Sequence, residues 1–123
     1  MRAEGFPIGI ITNGPAETQR AKIDLLGVGR LADFSLVSGE FGAEKPDPSI
    51  FQAALKLGQR EPDAAIHVGD LLDYDVLGAN RAGIRSVWMN RRAAVVEPGD
   101  PTPAHHVADL DAVADILRAW PHA

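Results

Sequence analysis

The sequence contains no cysteine, which excludes disulfides, thiolate metal sites and a cysteine nucleophile. It has no basic run: Lys and Arg number 12 against 17 Asp and Glu, a net charge of −5. Such an acidic chain is a poor partner for nucleic acid or for an anionic membrane surface. No apolar run approaches the roughly 18 residues that a membrane span needs, and Met1 to Gly5 are polar or small, unlike a secretory signal. Gly-x-Gly-x-x-Gly and the Gly-Lys-Ser/Thr phosphate loop are both missing, which removes the common nucleotide signatures. Internal repeats and low-complexity segments are missing too. What remains is 46% hydrophobic and 24% charged over 123 residues, the composition and length of one ordered domain or part of one. A soluble, cytoplasmic protein is the expectation.

The apolar pattern alternates between strand and helix. Residues 8–12 form a β-rich apolar run closed by Asn13-Gly14-Pro15. Helical spacing follows from Ala16 to Leu26, with Gly27 placed to stop it. A second strand is expected over Phe34–Ser38, then a Gly-rich loop through Gly42 into Lys45-Pro46-Asp47-Pro48. Asp47 reads as an N-cap with Pro48 at the first helical position, for a helix over about 49–57 ending at Gly58. A third strand is expected over 65–68, closed by Gly69-Asp70, a helix over about 74–82 stopped by Gly83, and a fourth strand over 84–89. A proline-bearing loop over 90–104 leads to a short edge strand at His106-Val107. Asp109 caps a last helix reaching about Trp120. This β-α-β-α-β-α-β-(β)-α order predicts a Rossmann-like α/β fold, a parallel sheet with helices on both faces. Crossovers of one hand bring the carboxyl ends of the strands to one rim, where ligands of such sheets sit.

Three clusters fall just after a strand. Thr12-Asn13-Gly14 offers a hydroxyl and backbone N–H groups suited to an oxyanion, phosphate above all; the alternative is a helix-start turn with Thr12 as a capping hydroxyl. Lys45 sits on a loop stiffened by two prolines and can neutralise a phosphate or carboxylate, or be a solvated lysine. Asp70, Asp73 and Asp75 crowd six residues after the third strand, and like charges so close call for a cation such as Mg²⁺. The alternative is that Asp73 caps the next helix, which still leaves Asp70 to be accounted for. His105-His106 are adjacent on an extended segment and point opposite ways, so they do not read as a metal pair. His67 reads as a hydrogen-bonded core histidine, Trp88 and Met89 as core or rim packing, and Arg91-Arg92 as rim or solvated residues.

Taken together and in this order, these stretches resemble the haloacid dehalogenase-like (HAD) hydrolases. The resemblance rests on Ile10-Ile11-Thr12-Asn13-Gly14, on Ser38-Gly39-Glu40 through Lys45-Pro46-Asp47-Pro48-Ser49-Ile50-Phe51, and on Val68-Gly69-Asp70 to Asp75 with Gly78-Ala79 and Ala82-Gly83. It covers nearly the whole chain. It implies a phosphohydrolase acting on a small phosphorylated substrate through an aspartyl-phosphate. Thr12, Asn13 and Gly14 would hold the phosphoryl group, Lys45 would offset its charge, and Asp70 would hold Mg²⁺ with Asp75 supporting the metal site. Gly69-Asp70 favours the phosphatase branch over the metal-independent dehalogenases, which typically lack that pair. Leu71, where many members carry a small hydroxyl residue, is a minor departure.

The major departure is upstream. The family's nucleophile lies on an Asp-x-Asp after a strand that precedes the threonine motif, and none of the eleven residues before Thr12 is an Asp. Glu4 is the sole acid there. The expectation is therefore a partial HAD core, residues 1–123, missing its first and central strand and catalytically incompetent by itself. Met1–Pro7 reads as the tail of a helix and turn. The competing expectation is a short binding or assembly protein. Without the central strand, the strands at 8–12 and 65–68 are expected either to close on each other or to pair with a second copy, giving a homodimer.

Overall fold

The computed structural model describes residues 6–27, 30–91 and 93–119. The expected helix tail over Met1–Gly5, with Glu4, lies outside them, as do Arg92 and the helix end at Trp120. The chain divides between Arg60 and Glu61 into two compact units.

The first unit holds β1 (Gly9–Thr12), α1 (Ala16–Leu26), β2 (Phe34–Val37), the single turn α2 (Ser38–Phe41) and α3 (Pro48–Gly58). β1 and β2 pair in parallel, from Gly9 opposite Phe34 to Thr12 opposite Val37. α1 spans the expected residues and ends on Gly27 in the left-handed conformation. The expected glycine-rich loop after β2 is instead a short helix, closed by the Gly42 N–H donating to the Ser38 carbonyl. α3 packs on both strands and places Ile50 and Phe51 fully inside. Its start is as read: the Asp47 carboxylate accepts from the Ser49 N–H at 2.8 Å, with Pro48 in the first turn. Asp47→Ala should lower stability by about 1 kcal/mol in urea unfolding, the usual worth of such a cap.

The end of α3 differs from expectation. Gly58 stays helical and Gln59 takes the left-handed backbone, φ 54°. The Arg60 guanidinium donates to the Gly58 and Gln59 carbonyls at 3.2 and 3.1 Å, so the strained ending also satisfies carbonyls left over by the helix. Gln59→Gly, which removes the Cβ penalty, should raise stability by about 1 kcal/mol, read as a higher denaturation midpoint. On the surface, Glu40 accepts bidentately from Arg20 at 2.9 and 2.6 Å. The guanidinium holds the Glu40 carboxyl below its ordinary range. The pair's contribution is therefore present above the ordinary glutamate value and lost as pH falls through the lowered one. It is small because both partners face solvent.

The second unit holds β3 (Ile66–Gly69), a wide π-helical turn (Leu72–Val76), α4 (Leu77–Arg81), β4 (Arg85–Met89), β5 (His105–Val107) and α5 (Leu110–Ala119). Its sheet runs β3-β4-β5, all parallel. One face is apolar: Val87, Met89 and Val107 pack with Val113 and Leu117 of α5, and Ile66 and Val68 join them. Strand alternation puts His67, Gly69, Ser86, Trp88 and His106 on the other face, and the π turn packs on β3 and β4. Asp109 caps α5 as expected, accepting from the Ala112 N–H at 2.9 Å.

The ladders among the described residues are β1-β2 and β3-β4-β5. β1 is an outer strand of the first unit's sheet, and β3 is an outer strand of the second unit's sheet.

Candidate functional site

In the first unit the carboxyl end of β1 meets the loops that follow β2. The α1 N-cap position is Pro15, with no side-chain cap, so Thr12 is not a capping hydroxyl. Its Oγ1 accepts from Gln19 Nε2 at 2.6 Å. A hydroxyl accepting one bond keeps its own proton to donate, so Thr12 can serve an anion while Gln19 orients it. Gly14 is placed differently from expectation: its N–H donates to Ser38 Oγ at 2.8 Å, and its carbonyl accepts from the Gly39 N–H at 3.0 Å. That N–H is therefore engaged by protein rather than offered to a phosphate. The contact also explains Gly39, because a Cβ there would lie 2.8 Å from the Gly14 carbonyl oxygen and 2.7 Å from the Ala16 nitrogen.

Asn13 brings Lys45 to this turn. Its Oδ1 accepts from the Lys45 N–H at 2.9 Å and its Nδ2 donates to the Lys45 carbonyl at 3.1 Å. The amide thus reads the Lys45 backbone as a neighbouring strand would, and it fixes a half-buried lysine 32 residues away in sequence beside the turn after Thr12. Thr12, Asn13, Gly14 and Lys45 form one constellation, with Gln19 and Ser38 as additional members. Nothing local in the sequence marks Gln19. Ser38 enters the sequence reading only as the end of the second strand and the start of the Ser38-Gly39-Glu40 stretch of the resemblance, with no role assigned.

In the second unit Asp70 follows β3 with its side chain exposed. Asp75 is 3% exposed. Its Oδ1 is 2.9 Å from His67 Nε2 and its Oδ2 accepts from the Leu71 N–H at 3.2 Å. With the carboxylate accepting, Nε2 carries the imidazole proton. His67 is thus the hydrogen-bonded histidine expected, and its partner is an acid of the following turn. Asp73, the helix cap of the alternative reading, is exposed, and the N-cap position is Leu71, without a side-chain cap. The reason is geometric, because the helix starts earlier, at Leu72, and Asp75 reaches back to the Leu71 N–H. Asp75 also explains Gly69, since a Cβ on residue 69 would overlap the Asp75 carboxyl carbon.

For a hard cation the chemistry is partly present. Mg²⁺ is usually held by one or two carboxylates, with waters and phosphate oxygens completing the shell. Asp70 supplies one exposed carboxylate of that kind. Both Asp75 oxygens already accept protein bonds, which suits a supporting place. Among the described residues no group of three His, Asp or Glu is placed to hold a metal, so any Mg²⁺ site here depends on water and phosphate ligands.

The family model for haloacid dehalogenase-like hydrolases matches residues 1–83. A glyceraldehyde 3-phosphate phosphatase of Methanopyrus kandleri is 44% identical over 122 residues, 96% of this chain and 52% of that protein. Among solved structures, a HAD phosphatase from Thermococcus onnurineus superposes with a TM-score of 0.86 at 33% identity, covering 94% of this chain and 52% of that one. A 2-haloacid dehalogenase from Pseudomonas syringae does so at 0.83 and 32%, covering 94% and 48%. The chain spans about half the length of the relatives it matches. With the threonine turn, the lysine loop and the Gly-Asp turn each following a parallel strand, the chain belongs to the haloacid dehalogenase-like hydrolases.

Proposed function

We propose that these residues are the phosphate-holding and metal-holding segments of a Mg²⁺-dependent phosphohydrolase acting on a small phosphorylated metabolite. The observation that carries the reading is the Asn13 clamp, which joins the Lys45 backbone to the Thr12 turn in a chain whose relative is a phosphatase. The Thr12 hydroxyl, oriented by Gln19, donates to a phosphoryl oxygen. The Lys45 ammonium offsets the charge of the phosphate and of the attacking carboxylate. Asp70 holds Mg²⁺, and Asp75, tied to His67, supports the turn that carries it. When bound, the ion offsets the repulsion between two anions. The reaction runs through an aspartyl-phosphate. No Asp precedes Thr12 in this sequence, so the 123 residues lack the family's nucleophile and are inactive by themselves. Because the Gly-Asp pair is present, the phosphatase reading is preferred to the dehalogenase one.

Two measurements on the chain alone test this. Incubation with glyceraldehyde 3-phosphate and MgCl₂ should release no phosphate above buffer. Titration with inorganic phosphate should shift the NMR signals of Thr12 and Lys45. Release that survives repurification and is lost in Asp70→Ala would contradict the assignment of the nucleophile. Unmoved Thr12 and Lys45 signals would contradict the phosphate role.

A second reading, an assembly role, draws on β1 and β3 as outer strands of their own sheets, since outer strands are templates for pairing with a second copy. Sedimentation decides it: a dimer supports that reading, and a monomer at all concentrations removes it.

A further inference from the structure

Asp70 is the residue on which the proposed metal role depends, yet its carboxylate is exposed at the end of a four-residue strand. Its direction is set by the plane of the peptide that follows it, and that one peptide unit is held at both ends. Its oxygen, the Asp70 carbonyl, accepts from Trp88 Nε1–H at 3.1 Å. Its N–H, that of Leu71, donates to Asp75 Oδ2 at 3.2 Å. A peptide fixed through both its donor and its acceptor has little freedom left to rotate about its flanking bonds.

The indole is itself held. Trp88 lies opposite Gly69 on β3 and opposite His106 on β5, so the three share one cross-strand row. In a parallel ladder directly opposed residues face the same side of the sheet. The Trp88 and His106 rings lie 4.5 Å apart at 34°. His106 Nε2 accepts from Asn90 Nδ2 at 3.0 Å. The same Nδ2 donates to the Ala94 carbonyl at 2.9 Å, and Asn90 Oδ1 accepts from the Ala94 N–H at 3.0 Å. Trp88 is 3% exposed and Asn90 8%. A chain of contacts therefore runs from β5 and the turn after β4, through a buried indole, to the Asp70 backbone.

We infer that Trp88, held by His106 and Asn90, is a positioning residue that aims the Asp70 carboxylate through the Asp70–Leu71 peptide. The inference rests on the metal reading of Asp70 for its function and on the hydrogen bond alone for its geometry. Trp88→Phe keeps an aromatic ring opposite His106 and deletes the N–H. Benzothienylalanine at position 88 keeps the bicyclic shape and replaces the N–H by sulfur, which guards against a packing defect.

In both variants the Leu71 amide should exchange with deuterium about fivefold faster, the loss of one hydrogen bond, with the global unfolding midpoint unchanged in the benzothienyl form. Mn²⁺ affinity of the chain, read by calorimetry, should fall about tenfold, as when the support of a metal ligand is removed. Exchange at Leu71 that does not change in either variant overturns the inference. Exchange that accelerates while Mn²⁺ affinity stays at the wild-type value also overturns it, because the indole then orders the turn without aiming the carboxylate. Mn²⁺ binding that survives Asp70→Asn is a separate failure, that of the metal reading, and it overturns the functional half of the inference with it.

Discussion

Gly69→Ala should destabilise the protein by about 3 kcal/mol, the upper range for forcing an atom into a packed site. A Cβ at residue 69 falls on the Asp75 carboxyl, and Asp75 cannot move without cost. Its two oxygens hold His67 and the Leu71 N–H, and at 3% exposure a displaced carboxylate leaves polar partners unpaired. The diagnostic is non-additivity. Asp75→Ala alone should also destabilise, but the double variant Gly69→Ala/Asp75→Ala should be no less stable than Asp75→Ala, because the methyl then occupies vacated space. Urea unfolding of the four proteins measures this. Strictly additive losses would mean that Gly69 is required by something other than Asp75.

The second large effect is expected at Asn13. Asn13→Ala removes both bonds to the Lys45 backbone and should cost about 2 kcal/mol, roughly 1 for each part-buried hydrogen bond. Asn13→Asp is the informative variant. It keeps the acceptor for the Lys45 N–H but puts an oxygen against the Lys45 carbonyl, so it should lose at least as much as alanine despite its near-identical shape. In an active enzyme that contains these residues, both changes should depress phosphate release together with stability, and Asn13→Ala should not be rescued by lowering temperature. Wild-type stability in Asn13→Asp would show that the clamp does not hold the lysine loop.

The sequence was most legible where the cause is local. Gly27 ends α1, Asp47-Pro48 starts α3, and Asp109 caps α5, because each depends on a residue and its neighbours within one turn. The strand–helix alternation likewise carried the parallel fold, and the three clusters after strands are the turns on which the proposed function rests. The structure departs from expectation where another side chain, near or far in sequence, takes over the backbone group in question. Gly58 looked like the natural stop for α3, but Arg60 satisfies the carbonyls one residue later and Gln59 takes the strain. Asp73 looked like a cap, but Asp75 reaches the Leu71 N–H because Gly69 leaves room for it. Gln19, Ser38 and Trp88 act through pairings with residues 7, 24 and 18 positions away, which no periodicity or capping signal encodes. The row Gly69-Trp88-His106 exists only once strand register is known.

The central proposal is that Lys45 and Asp70 each serve phosphate release, one offsetting phosphate charge and the other holding Mg²⁺. The most direct measurement is phosphate release from small phosphorylated metabolites by the polypeptide of the full reading frame that contains this sequence, assayed with and without MgCl₂. The account predicts Mg²⁺-dependent release by the wild type, and a fall of about 100-fold or more in both Lys45→Met and Asp70→Asn, the scale for losing one electrostatic group from such a site. Release that is indifferent to Mg²⁺, or that persists at the wild-type rate in either variant, would contradict it.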